Sequence, residues 1–111
     1  MRSYSVTDLF PEDVEKLKKL LTSKGYAGSM DDFFWIPLPD SLREPEQRDH
    51  ADECGPFCFA LDVERTYVTM ELLVRARNKI RCSCVAYATP AQRAFAIDTL
   101  DGFFKDLDIP V

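Results

Sequence analysis

One histidine and four cysteines are the residues of this chain best suited to chemistry: His50, Cys54, Cys58, Cys82 and Cys84. Thiolate and imidazole are the usual zinc ligands, and thiols also pair as disulfides or act as redox sensors. His50, Cys54 and Cys58 recur at four-residue spacing, and Cys82 and Cys84 form a Cys-x-Cys pair. The chain has no Cys-x2-Cys pair, the spacing on which familiar zinc signatures rest. His50 stands in an acidic stretch beside Asp49, Asp52 and Glu53. With no partner nucleophile apparent, it reads as an exposed loop residue rather than a general base.

Two further groupings bear on recognition. Arg75, Arg77, Lys79 and Arg81 place four cations in seven residues, a pattern suited to an anion or an acidic partner, with Glu71 and Tyr87 near in register. Phe33-Phe34-Trp35-Ile36-Pro37-Leu38-Pro39 concentrates apolar and aromatic groups within a polar connection, as partner-binding edge strands do.

Two helices and a strand meander would have to position these residues. Pro11 at a first helical turn, acidic Glu12 and Asp13, and Val14, Leu17, Leu20 and Leu21 at helical spacing predict a helix over 11–24, stopped by Gly25. Thr89-Pro90-Ala91-Gln92 reads as a capping box opening a second helix over 90–107, with Ala96, Ile97, Leu100, Phe103, Phe104 and Leu107 as its apolar stripe. Between them, Phe33–Ile36 is expected to form an edge strand ended by Pro37. The runs 57–63, 68–76 and 80–87 read as three consecutive strands, and the long connection 26–55 as largely irregular.

Period-two alternation sets an expected register. A four-residue loop pairs Val63 with Val68, Leu61 with Met70, Phe59 with Leu72 and Phe57 with Val74. A three-residue loop at Arg77-Asn78-Lys79 pairs Ala76 with Ile80, Val74 with Cys82, Leu72 with Cys84 and Met70 with Ala86. Cys82 and Cys84 would then be core thiols and Cys58 would face the other side, so the register speaks against a metal site. The second face would carry Leu73, Glu71, Tyr87 and Arg75, with Arg81 directly opposite Arg75. Opposed like charges cost stability, so Glu71 or a bound anion would have to compensate.

The expected fold is therefore α+β: two helices on one face of an antiparallel sheet of three to four strands, in the order α-(β)-β-β-β-α. A chain of 111 residues suits one domain, 1–111. Nineteen acidic against fourteen basic residues, a net charge of −5, argue against nucleic-acid binding. The chain has no apolar run of about 20 residues, so no membrane partner is expected. With no apolar leader after Met1, a cytoplasmic location with reduced thiols is expected.

The functional expectation is a small acidic protein-interaction module, homodimeric or binding another protein through Phe33, Phe34, Trp35, Ile36 and Leu73. The alternative is an anionic-ligand binder or enzyme using Arg75, Arg81, Glu71 and Tyr87. Nucleophile-elbow and phosphate-loop motifs are absent, so binding is favoured over catalysis. No catalytic residue, metal ligand or cofactor is assigned.

Overall fold

The computed structural model describes all residues, 1–111. It is an α+β arrangement of six strand segments and four helices. The strands are β1 (Ser3–Val6), β2 (Phe33–Pro37), β3 (Phe57–Val63), β4 (Val68–Glu71), β5 (Leu73–Ala76) and β6 (Ala86–Tyr87). The helices are α1 (Pro11–Ser23), α2 (Pro45–Asp49), α3 (Ala51–Cys54) and α4 (Pro90–Asp106), with a 3-10 turn at Asp40–Leu42. No helix is long and apolar enough to cross a membrane.

The central strand is β3. It pairs antiparallel with β2 on one side and with β4 and then β5 on the other; β1 lies outside β4 and β6 outside β5. Phe57, Phe59, Leu61 and Val63 alternate along β3 and are buried in one cluster with Val14, Leu17 and Leu21 of α1 and Ala96, Leu100 and Phe104 of α4. Both long helices thus cover one face of the sheet, as period-two and period-3.6 patterning require.

The ends of both helices match the signals in the sequence. Gly25 adopts φ +80° after α1, where its N–H bonds Thr22 O (3.0 Å) and the next N–H, of Tyr26, bonds Leu21 O (3.1 Å). This is the Schellman closure that a residue without a Cβ makes at least cost. At α4 the Gln92 N–H donates to Thr89 Oγ1 (3.2 Å) and the Thr89 N–H to Gln92 Oε1 (3.0 Å), a reciprocal capping box.

The sheet departs from the expected three to four strands and their order. First, β1 adds an N-terminal strand, so the chain opens on β rather than α. Second, the first hairpin keeps Val63↔Val68 and Leu61↔Met70 but then shifts, pairing Phe57 with Ala76 and Cys58 with Arg75. Three residue steps on β3 (61 to 58) face five on the other strand (70 to 75), so two extra residues bulge out at Leu72. The Leu72 N–H donates to Arg2 O (2.9 Å) and its carbonyl accepts from Ala88 N–H (2.8 Å), which satisfies the bulge from outside. An even slip leaves every side chain on its expected face, so Leu72 and Val74 stay buried.

Third, the strand expected over 80–87 shrinks to Ala86–Tyr87. Val74 faces Ala86 instead of Cys82, four residues later, and the surplus becomes a loop over 77–85 carrying Arg81, Cys82 and Cys84. The chain past Ala76 is captured by the segment before β3: Arg77 N–H bonds Pro56 O (2.9 Å) and Asn78 N–H bonds Cys54 O (3.1 Å). Ile80 is left 86% exposed rather than in the core. The connection over 26–55, expected to be largely irregular, contains β2, the 3-10 turn, α2 and α3.

Candidate functional site

The sheet face away from α1 and α4 is open. Alternate residues of β2, β3, β4 and β5, with Tyr67 just before β4, line a groove there of about 550 Å³: Phe33, Trp35, Ala60, Asp62, Tyr67, Thr69, Glu71 and Arg75. Phe33 packs edge-on against Trp35, with ring centroids 5.1 Å apart and planes at 82°. The Arg77 guanidinium lies 4.8 Å from the centre of the Trp35 ring. Glu71 takes Arg75 in a fork, with Nε to Oε1 at 2.6 Å and a second nitrogen to Oε2 at 3.1 Å. Asp62 has no salt-bridge partner. Its charge pushes the nearby Glu64 carboxyl above its ordinary pKa.

Several expected site residues therefore fall elsewhere. Glu71, Arg75, Phe33 and Trp35 meet on this face, but Arg81 does not sit opposite Arg75, because the strand that would have carried it is a loop. Phe34 and Ile36 are 2% and 1% exposed and belong to the chain's own core, so they are closed to a partner. The outer edge of β2 is occupied as well: Trp35 N–H donates to Tyr26 O (2.8 Å) and Gly28 N–H to Phe33 O (2.8 Å), leaving no free ladder for an added strand. Leu73 pairs with Tyr87, whose ring is covered by the Arg2 guanidinium at 4.5 Å.

The second grouping was hidden by the expected register. His50 and Cys54 lie one helical turn apart, tied by the bond from Cys54 N–H to His50 O (2.8 Å). The 77–85 loop folds back so that Cys82 and Cys84 reach the same point. His50 Nδ1 is 3.1 Å from Cys82 Sγ and 4.0 Å from Cys54 Sγ, and Cys54 Sγ is 3.8 Å from Cys82 Sγ. One ligating atom from each of His50, Cys54, Cys82 and Cys84 lies within 4.8 Å of every other. Cys54 and Cys84 are buried, His50 and Cys82 half-buried, and all the cysteines are free thiols. Cys58, 3% exposed on β3, takes no part.

A scaffold of buried amides holds this cluster. Gln47 Nε2 donates to the Cys84 carbonyl (3.3 Å), and Gln47 Oε1 accepts from Glu44 N–H (2.9 Å) and from Gln92 Nε2 (3.0 Å). Gln92 Nε2 also reaches Leu42 O (2.8 Å), so α4, α2 and the loop share one network. On the other side Asn78 Nδ2 donates to Gly55 O (2.6 Å), and Ser83 Oγ to the Glu46 carboxylate.

The thiols diverge in acidity. The Cys84 N–H and thiol aimed at Cys82 Sγ, with His50 and Cys54 adding to them, hold the Cys82 pKa down at about 6. Burial, with Cys82 and Cys54 beside it, pushes Cys84 up to about 12. Cys54 is raised as well, chiefly by burial.

The sequence signal for the cluster was a His-x3-Cys turn plus a Cys-x-Cys pair. It was masked because Ile80, Cys82, Cys84 and Ala86 alternate as an inward-facing strand would. Comparison of the chain with protein-family models, with curated proteins and with solved structures finds no match in any of the three.

Proposed function

We propose that this protein is a binding module whose open sheet face receives a cationic side chain of a partner protein. The observation that carries the reading is the groove itself, in which aromatic walls from Phe33, Trp35 and Tyr67 stand beside the unpaired carboxylate of Asp62. Aromatic faces and a carboxylate together favour an ammonium or guanidinium group. Asp31, Asp32, Asp62 and Glu64 line an adjoining hollow, where the one salt bridge is Lys18 to Asp32 (2.6 Å), so four carboxylates face one cation and the potential at this end is negative. An anionic ligand is less well served, since Arg75 is already engaged by Glu71.

Titration with a short Lys/Arg peptide, followed through Trp35, the one tryptophan, tests the reading directly. Saturable quenching that weakens with salt is expected, and Asp62→Asn should reduce affinity about two- to fivefold, as for loss of one exposed charge contact. Equal or tighter binding of a Glu/Asp peptide would reverse the proposed polarity, and no response to either peptide would remove it.

A further inference from the structure

We propose that His50, Cys54, Cys82 and Cys84 bind one zinc ion, which ties the α2–α3 segment to the 77–85 loop. The distances fit a single tetrahedral centre. Zinc bonds of about 2.3 Å to sulfur and about 2.0 Å to nitrogen place tetrahedral ligands about 3.8 Å apart for two sulfurs and about 3.5 Å for sulfur and nitrogen. Cys54 and Cys82 stand at 3.8 Å, and the two His50 contacts, 3.1 and 4.0 Å, bracket the mixed value. With every ligating atom within 4.8 Å of the others, shifts of under about 1 Å bring Cys84 in as well. Three thiolates and an imidazole form a soft donor set that selects zinc over hard cations.

Other uses of the cluster explain less of it. Buried cysteines that merely fill space do not account for three sulfurs converging on an imidazole. A disulfide between any two would leave the third thiol and His50 without a role. A Cys82 nucleophile paired with His50 would need a substrate cavity, yet neither residue lines any of the cavities on the surface. Four protein ligands leave no coordination position for water, so the centre is structural rather than catalytic.

The surroundings match that assignment. Gln47 Nε2 holds the Cys84 carbonyl (3.3 Å) and Asn78 Nδ2 the Gly55 carbonyl (2.6 Å), so outer-shell hydrogen bonds fix the backbone that carries the ligands. Binding is a ligand exchange without electron transfer. Zinc sheds its waters, each thiol still protonated loses its proton to solvent as its S–Zn bond forms, and His50 binds through Nδ1 with its proton on Nε2.

Elemental analysis of protein purified under reducing conditions should give one zinc per chain. The metal-free chain titrated with cobalt should develop thiolate-to-metal charge-transfer bands and intense tetrahedral ligand-field bands, saturating at one equivalent. His50→Asn and Cys82→Ser, at half-buried positions, should weaken zinc by more than about 100-fold in competition with a chromophoric chelator, beyond the range of outer-shell losses. Cys58→Ala should retain the full affinity. Substoichiometric zinc after reconstitution with only the aqua-cobalt spectrum would overturn the proposal. So would stoichiometric iron or copper, a native Cys54–Cys82 disulfide by mass spectrometry, or equal loss of metal in Cys58→Ala. The cobalt titration uses the unaltered chain, so failure of a variant to fold leaves the test intact.

Discussion

Gln47 and Gln92 connect more of the molecule than their chemistry announces. Each is a primary amide at 3% and 1% exposure, and between them they satisfy the Cys84 and Leu42 carbonyls and the Glu44 and Thr89 N–H groups. Truncating Gln92 leaves buried donors and acceptors with nothing to bond, which costs more than the net value of the bonds made. Gln92→Ala should therefore lower stability by about 2–3 kcal/mol in denaturant titration. Gln92→Glu should not rescue it, because a carboxylate cannot donate to Leu42 O or Gln47. Stability unchanged in Gln92→Ala would show that water replaces the network. Gln92 was legible as the third residue of a capping box, but its burial and its reach to α2 were not. A local motif specifies the backbone bond and says nothing of what the other end of the side chain meets.

The element least visible in the sequence is β1. Ser3–Val6 has four residues alternating between exposed and half-buried positions, too short and too polar for periodicity to mark it. Its place comes from pairing with β4 and from Tyr4, whose hydroxyl donates to Asp101 on α4 (2.6 Å). That bond, with burial and the carboxylate charge adding to it, raises the Tyr4 pKa from about 10 to about 12. A folded-state pKa above the unfolded one gives stabilisation that is complete below pH 10 and lost as pH rises through 12. Tyr4→Phe should cost about 1–2 kcal/mol near neutrality and flatten the alkaline arm of the stability profile. A chain whose alkaline unfolding is identical with and without the hydroxyl would show that β1 is held by backbone pairing alone. The 77–85 segment departed in the opposite sense: its alternation was strong, yet the backbone after Ala76 bonds instead to the residues before β3. Alternation reports which side chains share a direction, and a loop that turns two cysteines toward one point shares that property with a strand.

At the scale of the molecule, two sources of order are layered on one another. Phe57, Phe59, Leu61 and Val63 are each 0–1% exposed beneath α1 and α4, and β3 is flanked on both sides, so its amides should be the last to open. The 77–88 segment has few backbone bonds of its own and depends on Asn78, Gln47 and the proposed zinc. Hydrogen exchange should show residues 77–88 and 46–55 protected with zinc and faster by at least tenfold after chelation, with β3 unchanged. Uniform acceleration through β3 would mean that metal and core fold as one unit.

What the sequence determined by itself is whatever depends on neighbours along the chain. The limits of α1 and α4, the turn at Gly25, the capping box at Thr89, the strand character of 33–36 and 57–63 and the inward set of Phe57, Phe59 and Leu61 all follow from local bonding and periodicity. The tertiary structure decided how far each strand stays in register and what lies at its edges. The bulge at Leu72, the strip over β2 and the folding back of 77–85 answer to hydrogen-bonding groups distant in sequence. The convergence of His50 and Cys54 with Cys82 and Cys84 belongs to that second kind. Four residues of the right chemistry were plain in the chain, but their meeting depends on a loop whose path is set by partners some thirty residues away.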